Sequence, residues 1–490
     1  MNLFGTAGIR GSAEERVTPE LALSVGRAVG AEAVAASAAD ETPEVVVGRD
    51  GRVTGPSLVA AVESGVTSAG ADVVRVGVLP TPALAFASRG RHGVMLTASH
   101  NPPTDNGIKV FDDAEEIPRG KEEAVEERVG GDNRPAPWDH WGEAGEESPL
   151  RAYRRAVADY VRETGSASVD PGVGAGLDGE GDGDETPATP LDGLRVAADC
   201  GNGMGSVATP QVLRALGAEV VTLNANVDGH FPGRESKPTP ESLHDLREFL
   251  ADAEDSGEPF DFGLGHDGDA DRIVVVAPDG EVVHEDTVVA ILAEHYVRSV
   301  EAEAGVDDPV VVTTPNASGR IDERVEAAGG RVERVRLGAL HEGIASARAD
   351  GGDVVFAAEP WKHVHTRFGG WIDGVASAAV LADLVASKGL AALRAPVTER
   401  PYEKMSIACA DDAKAATMAG LETALPEAFP DAESSTEHGV RLSFPDGSWV
   451  LVRPSGTEPY VRIYAESDEV ERLVAEAREV VESAVAAAER

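Results

Sequence analysis

The run Glu44-Val45-Val46-Val47, followed by a small-residue helical segment from Gly55 to Gly70 and then by Asp72-Val73-Val74-Arg75-Val76-Gly77-Val78-Leu79, decides the fold class. Two short β-branched runs flank a stretch of helical length, and strands separated by helices pair in parallel with helices on both faces. Working toward the N-terminus, Thr18 has the chemistry of a helix N-cap and Pro19 that of a first helical position, ahead of an Ala-rich run to about Ala39. Toward the C-terminus, Gly93 to Thr97 reads as another strand, and the rhythm continues through strands predicted at Leu194–Ala198, Glu219–Leu223, Arg272–Val276, Pro309–Thr313, Arg331–Val335 and Asp353–Ala357. The last hundred residues change character. Strands at Tyr402–Ala408, Val440–Phe444, Trp449–Val452 and Tyr460–Ala465, a turn at Pro445-Asp446-Gly447 and helices at 413–425 and 468–489 read as an α+β unit. The expected fold class is therefore α/β: three similar mixed α/β domains over residues 1–147, 148–256 and 257–387, and an α+β domain over 388–490.

A chain of 490 residues fits several domains at roughly 150 residues each. Its 86 acidic residues against 43 basic ones give a net charge of −43, which repels phosphate backbones and anionic lipid and disfavours nucleic-acid and membrane partners. Lysine occurs only at 109, 121, 237, 362, 388, 404 and 414. So acidic and Lys-poor a surface is expected of a protein from a high-salt cytosol, where charges are screened over a few ångströms. Cys200 and Cys409 carry neither CxxC nor ligand spacing, the N-terminus has no signal-peptide pattern, and no apolar run reaches 18 residues. A soluble cytoplasmic protein is expected, either monomer or dimer. The Gly/Asp/Glu-rich segment from Gly165 to Gly193 reads as a surface loop.

Three stretches carry chemistry. In Gly265-His266-Asp267-Gly268-Asp269-Ala270-Asp271-Arg272 three carboxylates recur at alternate positions, which an extended segment would place on one side. Clustered carboxylates repel unless a hard cation joins them, so Mg²⁺ is the economical reading, with a solvated acidic turn as the alternative. An EF-hand loop from Asp267 would need Gly and Glu where Arg272 and Pro278 stand, and the GxGxxG match at 263–268 precedes a β-branched run rather than a helix. The second stretch, Thr97 to Lys109, offers the hydroxyl of Ser99, the imidazole of His100, two prolines and the amine of Lys109 just after a strand, where open α/β sheets bind ligands. GxSxG is absent around Ser99. The third, Arg453-Pro454-Ser455-Gly456-Thr457-Glu458-Pro459, combines hydroxyls and amides around Gly456 with Arg453 and, further on, Arg462, a set suited to one phosphate.

These three stretches and Phe4-Gly5-Thr6-Ala7-Gly8-Ile9-Arg10-Gly11 occur in an order and spacing that resemble the α-D-phosphohexomutase family, the Ser99 loop being most similar to archaeal members. The resemblance spans nearly the whole chain and implies four domains around a central cleft. It implies that Ser99 carries a phosphoryl group, that Asp267, Asp269, Asp271 and a phosphoserine oxygen hold Mg²⁺, and that Lys109 transfers protons. Arg10 and Arg272 would support the phosphoserine, and His100 would help to position it. Arg453, Ser455, Gly456, Thr457 and Arg462 would grip the phosphate that is not reacting. The family's sugar-reading loop is represented by Ala358-Glu359-Pro360-Trp361-Lys362-His363, with Glu359 and His363 in place and Trp361 and Lys362 where Ser and Gly are usual. The implied activity is Mg²⁺-dependent interconversion of hexose 1- and 6-phosphates, glucose or mannose first, through a sugar bisphosphate. Phosphoglucosamine mutase is the alternative. A metal-dependent sugar phosphatase and a non-catalytic sugar-phosphate-binding relic are further alternatives.

Overall fold

The computed structural model describes residues 3–5, 8–38, 41–131, 133–165, 189–300, 306–455 and 458–489. Gly456 and Thr457, and almost all of the predicted 165–193 loop, lie outside them. The described residues build four sheets. The first comprises Ile9–Ser12 (β1), Glu44–Arg49 (β2), Asp72–Val78 (β3), His92–Leu96 (β4), Asp105–Asp112 (β5), Glu115–Glu116 (β6) and Ala144–Glu146 (β7), in the order β1-β5-β4-β2-β3-β7 with β6 on β5. Its centre is parallel, as the βαβ rhythm requires, but β5 runs antiparallel to both β4 and β1. This corrects the reading of Thr97 to Lys109 as one loop: only the residues up to Thr104 are loop, and Lys109 lies inside a strand opposite Met95.

Arg195–Asp199 (β8), Glu219–Leu223 (β9), Phe262–His266 (β10) and Ile273–Val276 (β11) form the second sheet, in the order β11-β10-β8-β9. The rhythm grouped the strand ending at Val276 with the strands that follow it. It closes a tight hairpin on β10 instead, because the six residues between β10 and β11 are too few for a parallel crossover. Pro309–Thr313 (β12), Arg331–Arg334 (β13), Asp353–Glu359 (β14) and Lys362–Val364 (β15) are ordered β13-β12-β14-β15. Tyr402–Ala408 (β16), Glu433–Ser435 (β17), Val440–Ser443 (β18), Trp449–Pro454 (β19) and Tyr460–Glu466 (β20) form a sheet whose neighbouring strands are all antiparallel, in the order β16-β20-β19-β18-β17. The Pro445-Asp446-Gly447 turn joins β18 to β19, with Gly447 at φ 83° as such a turn demands.

The chain divides into two compact units, one of Met1–Val288 with Val355–Ala357 and Trp361–Leu393, the other of Val289–Val354 with Ala358–Pro360 and Arg394–Arg490. In the first unit, helices Pro19–Ala36 and Gly55–Ala69 cross closely enough that a Cβ on Gly26 would lie 2.4 Å from the Val62 carbonyl oxygen. The Thr18 side chain accepts from the Leu21 amide, the expected N-cap. The second unit's core gathers Leu421, Leu425, Val450, Val452, Val461, Ile463, Val474 and Val481 between its antiparallel sheet and helices Lys414–Ala428 and Val470–Ala488. Both cysteines are free and buried. Among the described residues no helix is long and apolar enough to cross a membrane.

Candidate functional site

Asp267, Asp269 and Asp271 sit in the turn between β10 and β11, with Ala270 in the left-handed region at φ 58°. The turn, rather than strand alternation, makes them converge: one oxygen from each lies within 4.8 Å of the others, and all three side chains are buried. The turn is held from beneath by His266, whose Nδ1 is 2.8 Å from the Arg272 carbonyl oxygen and whose Nε2 is 2.8 Å from Thr209 Oγ1. Burial keeps this imidazole neutral, its pKa down at about 4.

Ser99 reaches the same point from the carboxyl end of β4. Its hydroxyl donates to Asp267 Oδ2 at 2.7 Å, and its backbone is left-handed at φ 52°. A Cβ on Gly268 would lie 2.5 Å from the Ser99 carbonyl oxygen, so glycine at 268 lets the two loops meet. His100 Nδ1 is 3.3 Å from Ser99 Oγ; burial, then Arg272 and Arg10, push its pKa down to about 2, so the ring is a neutral neighbour of the hydroxyl. Lys109 donates from Nζ to Asp271 Oδ2 at 2.9 Å and to Glu116 Oε1 at 3.1 Å. Burial opposes its charge, but Asp271, Glu116 and Asp269 outweigh that and hold the ammonium protonated well past its ordinary range. Arg10, on β1 opposite Gly107 of β5, leaves Nε and one Nη buried without a hydrogen-bond partner. Arg272 Nε stands 3.7 Å from Asp267 and 3.6 Å from Asp271.

The three carboxylates are electrostatically unequal. Burial, then Asp271 and Asp269, push Asp267 far above the usual carboxylate range. Burial acts the same way on Asp271, but Lys109, Arg272 and Lys362 overcome it and hold that carboxyl far below the range. Asp269 Oδ2 accepts from Thr81 Oγ1 at 2.6 Å, while Asp269 Oδ1 and Asp271 Oδ1 are buried with no hydrogen-bond partner. Orphaned hard oxygens among buried like charges fit a divalent cation, which would take up those lone pairs and relieve the repulsion.

Trp361 packs, partly buried, against the apolar cluster of Leu243, Leu246, Val274 and Val276, and its backbone is left-handed at φ 68°. The protein's own apolar cluster thus takes up part of the indole. His363 is 1% exposed, its Nδ1 lies 3.0 Å from Ser377 Oγ, and its Nε2 has no hydrogen-bond partner; burial pushes its pKa down to about 3. Sequence reasoning missed Asp50, Arg52, Thr81, Glu116 and Asp373. Asp373 ties this region together by accepting from Tyr153 Oη and Trp371 Nε1 and by capping helix Gly374–Lys388. No spacing motif marks such isolated residues.

The second unit holds the other predicted residues. Glu359 Oε1 accepts from the Gly338 amide at 2.6 Å. Arg453 and Arg462 face each other across β19 and β20, a like-charge pair that costs stability unless an anion or other partners absorb the charge. Arg453 donates to Tyr464 Oη at 3.2 Å, and Arg462 donates to Glu458 Oε2 at 2.9 Å and to Tyr460 Oη at 3.1 Å. The Nε of each is buried without a hydrogen-bond partner. Ser455 is buried, and Lys414, unmarked by the sequence motif, donates to the Ser455 and Glu458 carbonyls at 2.7 and 2.6 Å.

Comparison with known proteins finds likeness over nearly the whole chain. Family models of phosphoglucomutase/phosphomannomutase match the chain over residues 1–134 (α/β/α domain I), 185–280 (α/β/α domain II) and 405–483 (C-terminal domain). A protein of Thermococcus kodakarensis named phosphopentomutase is 40% identical over 95% of this chain and 94% of its own. One of Methanopyrus kandleri, named "Probable phosphoglucosamine mutase", is 40% identical over 96% of this chain and 94% of its own. Among solved structures, a phosphoglucomutase/phosphomannomutase family protein from Burkholderia thailandensis shares the fold with a TM-score of 0.76 at 24% identity, covering 98% of this chain and 97% of that one. Parafusin, a phosphoglucomutase from Paramecium, does so at 0.75 and 17% identity, covering 98% and 94%.

Proposed function

Because this chain belongs to the phosphoglucomutase/phosphomannomutase family, whose members are isomerases of sugar phosphates, we propose that it is a Mg²⁺-dependent mutase working through phospho-Ser99 and a sugar bisphosphate. The observation that carries this reading is the Ser99 hydroxyl held 2.7 Å from Asp267 in a buried triad of carboxylates with orphaned oxygens. Asp267, Asp269 and Asp271 would hold the metal, which when bound neutralises charge on the transferring phosphoryl group. The P–O bond to Ser99 breaks as one forms to a sugar hydroxyl. Lys109, held protonated, gives a proton to Ser99 Oγ and recovers one from that hydroxyl, so protons balance over the step. Arg10 and Arg272 face the phosphoserine and His100 positions it. Glu359 and His363 read the sugar, and Arg453, Ser455, Gly456, Thr457 and Arg462 hold the distal phosphate. The four-domain division at 147, 256 and 387 and a cytosolic location belong to the same proposal.

Burial of Ser99 favours transfer over hydrolysis, because a phosphoryl acceptor other than water must be selected. Glucose and mannose 1-phosphates are the first substrates of the reading. The names of the two relatives favour a second, in which glucosamine or pentose phosphates are preferred. Isomerisation of glucose, mannose, glucosamine and ribose 1-phosphates, in molar KCl with Mg²⁺ and trace bisphosphate, decides between them: kcat/KM for the preferred sugar should exceed the others by at least about tenfold, as a site built for particular hydroxyls or an amine rejects what cannot pair with them. Equal turnover of all four contradicts specific recognition, and turnover of none contradicts the mutase reading.

A further inference from the structure

The residues after β2, Asp50-Gly51-Arg52, run beneath the Ser99 loop. Arg52 and Asp50 are both fully buried. A guanidinium has five N–H donors in a fixed plane, and here they have five acceptors. Nε donates to Asp50 Oδ2 at 3.1 Å. Nη1 donates to the carbonyls of Pro102 at 2.6 Å and Asp105 at 2.9 Å, and Nη2 to those of Ser99 at 3.0 Å and Asn101 at 2.7 Å. Four donors thus go to one seven-residue stretch, from the proposed nucleophile to the first residue of β5. Asp50 completes the clamp. Its Oδ2 accepts from Thr97 Oγ1 at 2.7 Å, and Thr97 Oγ1 in turn accepts from the Ser99 amide at 2.9 Å. Ser236 Oγ adds a tether to the Asn101 carbonyl at 3.0 Å.

Resting on the mutase reading above, we infer that Arg52, oriented by Asp50, is the positioning residue of the phosphoryl-carrying loop and fixes Ser99 Oγ against the acidic triad. A buried Arg–Asp pair that merely filled the core would spend its donors on its own surroundings. This one converges four carbonyls that would otherwise point their dipoles at each other, and it holds a non-glycine residue in the left-handed region. Such a conformation persists only where surrounding contacts over-determine it. Without the fork, Ser99 relaxes toward an ordinary backbone conformation and its oxygen leaves the line of transfer. Lysine cannot substitute, since three donors cannot serve four carbonyls and a carboxylate.

The test pairs steady-state kinetics with hydrogen exchange on wild type, Arg52→Lys and Arg52→Ala. Expected for Arg52→Lys is a fall in kcat of about 100-fold with KM within about threefold of wild type, the signature of a displaced reacting atom rather than a lost binding group. Added guanidinium should restore about tenfold of the kcat lost in Arg52→Ala. The amides of Ser99, Asn101 and Asp105 should exchange faster while helix Gly55–Ala69 keeps its protection. Wild-type kcat and unchanged exchange in Arg52→Lys overturn the inference, as does a loss confined to KM or a rise in exchange throughout the unit. Should neither variant fold, Thr97→Val removes only the two hydrogen bonds that link Asp50 to the Ser99 amide, with about tenfold lower kcat at unchanged KM expected and wild-type kcat contradicting. Wild type that turns over no sugar phosphate sinks the mutase reading and the catalytic half of this inference with it; the exchange measurement still decides whether Arg52 anchors the loop.

Discussion

Ser99→Ala should lower turnover on the preferred sugar 1-phosphate by on the order of 10⁴-fold or more, with the fold and the metal response of the melting temperature retained. The variant removes one oxygen whose contacts are Asp267 Oδ2 at 2.7 Å and the neighbouring His100 ring. If the oxygen is the phosphoryl carrier, no remaining group replaces it: His100 is a neutral, half-buried ring, and Lys109 is held as a cation by Asp271 and Glu116. The residual rate should show no dependence on the bisphosphate activator, because there is nothing left to prime. A variant retaining a tenth of wild-type turnover would mean that phosphate passes by another route.

Asp269→Asn should have effects of opposite sign on stability and activity. In metal-free protein three buried carboxylates face one another, and Asp267 is pushed toward its protonated form by burial and then by Asp271 and Asp269. Removing the Asp269 charge relieves that repulsion while the amide oxygen can still accept from Thr81 Oγ1. The metal-free variant should therefore melt higher, by about 2–4 °C for each kcal/mol of repulsion removed. With the ligand set reduced, the rise in melting temperature on adding Mg²⁺ should shrink, and turnover should fall by about 10²–10³-fold. Thermal melts in EDTA and in Mg²⁺, alongside rates, read both signs; a lower melting temperature in EDTA would contradict the picture of unrelieved charge. This is the trade of stability for function expected where like charges are buried together.

The parts of the molecule legible in sequence are those fixed by local chemistry. The Thr18-Pro19 helix start, the strands Pro309–Thr313 and Tyr402–Ala408 and the hairpin at Pro445-Asp446-Gly447 were all expected where they lie, because caps, β-branched runs and glycine turns act over a few residues. Boundaries slipped where pairing decided them. Asp105 to Lys109 reads as the end of a loop beside its prolines and Asn-Gly, yet β1 and β4 flank it and make it part of the strand Asp105–Asp112. Ile273–Val276 looks like another parallel strand until the short turn before it forces a hairpin. At the site, the acidic triplet and the Ser99 segment were visible as motifs, while their meeting was not, since it depends on the Gly268 contact across 169 residues of sequence. The Asp50-Gly51-Arg52 support was invisible for the same reason: its four carbonyl partners lie about fifty residues away. Trp361, open in sequence to a role in stacking on sugar, is claimed by the apolar cluster around Val274.

The most direct measurement is a phosphoryl chase. Wild-type protein, incubated with Mg²⁺ and a sugar 1,6-bisphosphate labelled on phosphorus, is separated from free label, digested and mapped; a second portion is mixed with unlabelled sugar monophosphate. The account predicts about one phosphate per chain, located on Ser99, and its transfer to the added sugar within a turnover time. Label on any other residue, no label at all, or label released only as inorganic phosphate when the sugar is added would contradict it.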